Sequence, residues 1–158
     1  MRALCLVLAV SFAGCVFNNV SAEEKLRDSV VGLNDEVRWN RLDLATLRVA
    51  APFRLQFRAT HHAWHRDLQI ADSEIVQVRV ADEDRDEATS FVTVSWYDTR
   101  SMILHSTTLR QEWRRTVNGY VLVSEEVTDG DERLLAIPAS LRPDDGSGDE
   151  SEDELASL

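Results

Sequence analysis

The spacing of apolar side chains divides the chain into a helical half followed by a stranded half. Leu26, Val30, Leu33 and Val37 recur at helical spacing, so a helix over this stretch buries one face. Ser21-Ala-Glu-Glu24 forms a capping box, which starts that helix near Ala22. Asn40-Arg-Leu-Asp43 interrupts the pattern, with Asp43 placed to cap a short second helix running to about Val49. Pro52 suits the first turn of a third helix, where its missing N–H leaves no partner unsatisfied. Phe53, Phe57, Thr60, Trp64 and Leu68 then share one face, and Arg54, Arg58, His61 and His65 another, which predicts a helix reaching Leu68.

From Glu74 the period changes to two. Val76, Val78 and Val80 alternate with Gln77 and Arg79 in a strand over residues 74–81. The charged run 82–87 turns into a second strand, 88–97, with Val92, Val94 and Trp96 on one face and Phe91, Thr93, Ser95 and Tyr97 on the other. Bulk on both faces predicts a central strand. After the turn 98–101, a third strand over 103–116 presents Ile103, His105, Thr107, Leu109, Gln111 and Trp113 together. Asn118-Gly119 reads as a type I′ hairpin, both residues at φ > 0, leading into a fourth strand over 120–127. The fold class is α+β: N-terminal helices packed on a curved antiparallel sheet of about four strands.

Charge alters the picture at the C-terminus. The net −11 over 158 residues includes seven acids between Asp144 and Glu154, leaving only −4 for the rest. Residues 139–158, rich in Ser, Gly and acids, read as a disordered acidic tail. A domain without a net basic footprint argues against nucleic acid as a partner.

The N-terminus carries targeting information. Met1-Arg2 is basic, and Ala3 to Phe12 is an apolar run too short to cross a bilayer of roughly 30 Å. Residues 1–14 read as a signal peptide. Phe12-Ala13-Gly14-Cys15 resembles a bacterial lipobox, although Phe12 stands where an aliphatic residue is usual. The resemblance implies that Cys15 becomes lipidated, that 15–21 is a tether, and that 22–138 is the globular domain. The alternatives are cleavage by an ordinary signal peptidase near Ala22 and an uncleaved anchor. Val16 after the cysteine points to the outer membrane, periplasmic side, rather than the inner. Cys5 and Cys15 are the only cysteines, so the processed chain forms no intramolecular disulfide.

Three helices before a meander whose last hairpin reads Leu109-Arg-Gln-Glu-Trp-Arg-Arg-Thr-Val-Asn-Gly-Tyr-Val-Leu122 resemble the NTF2-like (cystatin-like α+β) superfamily over Glu23 to Val127. More narrowly, the chain is similar to uncharacterised NTF2-like lipoproteins of Gram-negative bacteria. The resemblance implies a cone whose interior is the ligand pocket, here Phe57, Trp64, Trp96, Tyr97, His105, Leu109, Gln111 and Trp113. Some members are enzymes with an Asp/His or Asp/Tyr pair in the cone; others are binding or dimerisation domains.

Chemistry-bearing residues are few. His105 on the inward face is an acid–base candidate without a visible partner, and a helix-three histidine with Asp67 is another. His61 and His65 have the spacing of two metal ligands on one helix, with His62 or Asp67 nearby, yet the pattern places no third ligand. The Arg54, Arg58, His61, His65 stripe could also meet anionic head groups, given a tether. No cofactor is expected. The function read from the sequence is a membrane-tethered envelope lipoprotein with a non-catalytic domain binding a hydrophobic small molecule or a protein partner. The alternatives are a small-pocket isomerase- or hydrolase-like enzyme using a His/Asp pair, and a purely structural homodimer.

Overall fold

The computed structural model describes residues 21–80, 84–138 and 141. The leader, Cys15, most of the tether and nearly all of the acidic tail lie outside the described residues. Among the described residues no helix is long and apolar enough to cross a membrane.

Helix α1 spans Ala22–Arg38. The Ser21 hydroxyl accepts from the Glu24 N–H at 3.1 Å, satisfying one of the four orphan donors of the first turn. Leu26, Val30, Leu33 and Val37 are all buried. Ser29 shares that face, and its hydroxyl accepts from the Tyr120 N–H, tying the helix to the start of the last strand. Helix α2 is Leu42–Leu47 and has no side-chain cap. Asp43 lies within its first turn instead of capping it, and pairs with Arg58 at 2.7 Å.

Pro52 sits in a 3₁₀ turn, Ala51–Phe53, that leads into helix α3, Arg54–Thr60. The predicted helix to Leu68 is therefore corrected: α3 stops at Thr60, and the chain turns through His65 at φ 62°. Phe57, Trp64 and Leu68 are buried as their spacing required, but Trp64 reaches the core from the turn and Leu68 opens a strand. Apolar residues delivered to one core look periodic even where the backbone is not helical.

Strands β1 (Leu68–Val80), β2 (Glu87–Asp98), β3 (Leu104–Thr116) and β4 (Gly119–Asp129) form one antiparallel meander in the order β1-β2-β3-β4. β2 is flanked on both sides, as its two bulky faces predicted. Its inward positions Ala88, Ser90, Val92, Val94 and Trp96 are at most 2% exposed, while the opposite face is half-buried. β1 starts six residues earlier than expected, and its register shifts at 70/72 and 75/77. Each shift turns the following side chains to the other face. Val76 consequently points outward, 61% exposed, and Ile75 takes its place against the core.

The β3–β4 turn is also displaced from the expected one. Thr116 pairs with Gly119, so Val117 and Asn118 form the two-residue loop and Asn118 does not adopt positive φ. Gly119, at φ 142°, begins β4 with Ser29 Oγ 3.2 Å from where a Cβ would stand. A parallel bridge from Val49 to Leu122 lays the segment after α2 along the outer edge of β4. Beyond β4, a second 3₁₀ turn, Glu132–Leu135, folds the fully buried Leu134 into the core.

Candidate functional site

Phe57, Trp64, Trp96, Leu109, Gln111 and Trp113 do converge between the helices and the sheet, and none is more than 7% exposed. They pack as core rather than line an open cone. The tryptophan N–H groups are satisfied: Trp64 donates to the Leu134 carbonyl at 2.8 Å, Trp96 to Thr107 Oγ1 at 3.0 Å and Trp113 to Ser90 Oγ at 2.9 Å. Tyr97 is removed from the predicted pocket, because alternation along β2 turns it to the face opposite Trp96.

Within that core lies a polar network. Gln111 Oε1 accepts from Asn34 Nδ2 at 3.1 Å and from Ser90 Oγ at 3.0 Å, and its Nε2 donates to Glu125 Oε1 at 2.8 Å. The other Glu125 oxygen, Oε2, stands 3.3 Å from His61 Nε2, and both side chains are only 2% exposed. His61 caps α3, donates from Nδ1 to the Phe57 carbonyl at 2.9 Å, and lies between the rings of Phe57 and Trp64 at 4.1 and 4.5 Å. Burial pushes its pKa below the ordinary histidine value; the Glu125 charge and the Phe57 carbonyl pull upward without reversing it. Neutral imidazole with its proton on Nδ1 leaves a lone pair on Nε2 facing Glu125 Oε2, which has no hydrogen-bond donor.

Glu125 carries no signal in the sequence. Glu125-Glu126 reads as the polar end of a strand, and alternation from Tyr120 and Leu122 would turn Glu125 outward. The β3–β4 register shift skips Val123, pairing Trp113 with Leu122 but Gln111 with Glu125, so the carboxylate turns inward. The one available hint was Gln111, an amide among apolar inward positions that needed a partner.

Beside this network, the α1–α2 link and the α3–β1 turn enclose a pocket of about 340 Å³. Val37, Leu42 and Trp64 form apolar walls, Asn40, His62, His65 and Arg66 supply polar groups, and His61 borders it. Asn40 and His65 are at φ 58° and 62°, so this pocket is edged by two left-handed residues. His65 Nε2 donates to the Val37 carbonyl at 2.9 Å, and the Arg66 guanidinium lies 2.9 Å from His62 Nε2. His61 and His65 thus leave the common helical face their spacing predicted, because α3 ends before either. No cluster of three metal-binding side chains occurs among the described residues. Asp67 is exposed, and the acid facing His61 is Glu125.

His105 acquires the partner the sequence did not reveal. Its Nδ1 is 3.6 Å from Asp131 Oδ2, and its ring stacks on Trp96 at 4.6 Å. Arg133 donates to Asp131 Oδ2 at 2.6 Å and spreads over Trp96 at 5.6 Å. The hydrogen bond from Arg133 holds the Asp131 carboxyl below the usual carboxylate range. His105 and Asp131 are 22% and 27% exposed, a quarter open to water where His61 and Glu125 are closed.

Helices on one face of an open antiparallel meander make this an α+β domain of the cystatin-like, NTF2-like arrangement. The chain shares its fold with the solution structure of a SEC-C motif containing protein from Rhodopseudomonas palustris, over 61% of this chain and 73% of that one, with a TM-score of 0.50 and 11% identity. A protein of unknown function with a cystatin-like fold from Nostoc punctiforme is similar over 68% of this chain and 89% of its own, with a TM-score of 0.44 and 11% identity. No family model matches the chain, and no curated protein matches it.

Proposed function

We propose that this chain is a lipid-anchored cell-envelope protein whose domain binds a small molecule in the histidine-edged pocket between the α1–α2 link and the α3–β1 turn. The observation carrying this reading is the mixture in that pocket: Val37, Leu42 and Trp64 beside His62, His65 and Arg66, in a volume of about 340 Å³. Apolar walls with a few convergent polar groups are what small-ligand sites present, and volumes of this order hold a small organic molecule. The chemistry fits a ligand with an apolar body and a carboxylate or similar acceptor, since the Arg66 guanidinium borders the pocket and has N–H groups beyond the one given to His62. The anchor half of the proposal rests on Phe12-Ala13-Gly14-Cys15.

Two experiments test the halves separately. Cys15→Ser should move the protein from the membrane to the soluble fraction, and retention in the membrane would remove the anchor. Amide NMR titration with short aliphatic and aromatic carboxylates should shift resonances of residues 37–42 and 61–66, with saturation abolished in Arg66→Ala. Shifts scattered over the sheet, or none, would remove the pocket.

The His61–Glu125 contact favours a second reading, acid–base catalysis by a buried pair. In it, His61 Nε2 or Glu125 Oε2 would take a substrate proton, because that oxygen has no other donor. A substrate turned over by the native chain and not by Glu125→Gln would establish it. Turnover unchanged in that variant would reject it.

A further inference from the structure

Basic side chains are distributed unevenly over the domain. Residues 38–66 hold six arginines and one acid, Asp43, whereas the rest of 21–138 holds nine bases and twenty acids. The same stretch exposes Trp39, Leu44, Leu47 and Leu55, at 64%, 48%, 67% and 83%. Leu44 and Leu47 lie three apart on α2 and so share a side of that helix. Leu55 is on α3, which the Arg58–Asp43 bridge joins to α2. Three of the arginines are already matched: Arg38 with Asp72, Arg48 with Glu36 and Arg58 with Asp43. Arg41, Arg54 and Arg66 are exposed and make no ion pair among the described residues.

We propose that this α2–α3 face seats on anionic phospholipid headgroups, with the unmatched arginines at the phosphates and Trp39, Leu44, Leu47 and Leu55 at the headgroup–acyl boundary. Short amphipathic elements with arginine beside exposed leucine and tryptophan suit a bilayer interface, where each basic group near an anionic surface adds to binding and tryptophan prefers the headgroup level. An acidic peptide is a poorer match. The chain's own 144–154 segment could answer the arginines, but it has no apolar side chain to cover the leucines.

The inference builds on the lipid-anchor reading, and the chain dimensions allow it. Five residues lie between Cys15 and Ser21, and the six steps reach at most about 20 Å. Trp39 stands at the far end of α1, about 25 Å from Ala22 along the helix axis. The first turn of α1 carries Glu23 and Glu24, a poor contact for anionic lipid. A tether of that reach lets the α2–α3 face touch the membrane while Ser21 stays within about 20 Å of it.

The test uses the full chain with Cys15→Ser, so that binding owes nothing to acylation. Co-sedimentation with vesicles of phosphatidylglycerol in phosphatidylcholine should exceed that with phosphatidylcholine alone and should fall with added salt. Removing Arg41 and Arg54 should weaken it about fivefold for each arginine. Leu47→Glu with Leu55→Glu should abolish it; both sites are exposed, and an unchanged circular dichroism melt would show that the fold persists. Equal binding to both vesicle types, or variants that bind like the parent, would overturn the proposal. Binding seen only after deletion of residues 139–158 would overturn it too, by showing that the acidic segment covers the face. Because acylation is absent here, a native chain found unlipidated leaves this result standing, and a lipidated chain that shows no vesicle preference loses only this surface.

Discussion

The domain contains two histidine–carboxylate pairs in contrasting surroundings. His61–Glu125 is sealed between α3 and the sheet, with each side chain 2% exposed, and is held by Gln111, Phe57 and Trp64. His105–Asp131 sits at the rim, a quarter exposed, where Arg133 satisfies the carboxylate directly. Similar chemistry is thus under opposite electrostatic constraints. In the buried pair desolvation dominates and pushes His61 toward the neutral form. In the rim pair the neighbouring guanidinium dominates and favours the charged carboxylate. Breaking the first leaves an unsatisfied buried group; breaking the second exposes it to water.

The largest expected effect tests how the rim pair is held. Gly130 adopts φ +97°, and a Cβ there would lie 2.8 Å from Thr107 Cα. Gly130→Val combines left-handed strain with a backbone clash and should cost about 4 kcal/mol in urea unfolding, displacing Asp131 from His105. A loss below about 1 kcal/mol would show that the turn yields freely.

Glu125 offers a sharper contrast. Glu125→Ala leaves one Gln111 Nε2 hydrogen without its acceptor, the other still donating to Asn34 Oδ1, and should cost about 3 kcal/mol. Glu125→Gln should cost little at neutral pH, because the amide oxygen can still accept from Gln111 while its NH₂ donates to His61 Nε2. If both variants were equally damaged, the pair would have to be held by charge rather than by the neutral tautomer.

The pH dependence separates the two sites. The folded pKa of His61 lies below the ordinary value of 6.5, so the unfolded chain binds a proton that the folded chain refuses. Stability from this group is therefore complete above that value and falls as pH drops below it, by at most about 1.4 kcal/mol per pH unit, until the depressed folded value is passed. His61→Gln should flatten that window. Asp131, depressed below its ordinary 3.8, contributes stability that is lost only as pH falls through the acid range. Asp131→Asn should flatten only the acid window. A His61→Gln variant that kept the full slope below 6.5 would place the titration elsewhere.

The smallest effect belongs to the rim. The Asp131 side chain accepts from the Arg133 N–H and caps the second 3₁₀ turn. Asp131→Ala should cost about 1 kcal/mol, the usual worth of such a cap. A loss as large as that of Glu125→Ala would erase the distinction between the two pairs.

Local chemistry alone determined much of this protein. The Ser21 cap, the α1 face of Leu26, Val30, Leu33 and Val37, the switch to a period of two, the central position of β2 and the inward row Thr107, Leu109, Gln111 and Trp113 each depend on residues within a few positions of one another. Tertiary structure decided the rest. α3 ends at Thr60 although the apolar spacing continues, because core contact can be met from a turn as well as from a helix. The Val123 bulge turns Glu125 inward, and no local pattern marks a bulge that shows only in the pairing with β3. Asp131 meets His105 where Gly130 passes against Thr107. Periodicity reports which face a side chain takes while the backbone stays regular. Both histidine–acid pairs depend on places where it does not, so their partners emerge only when distant segments pack.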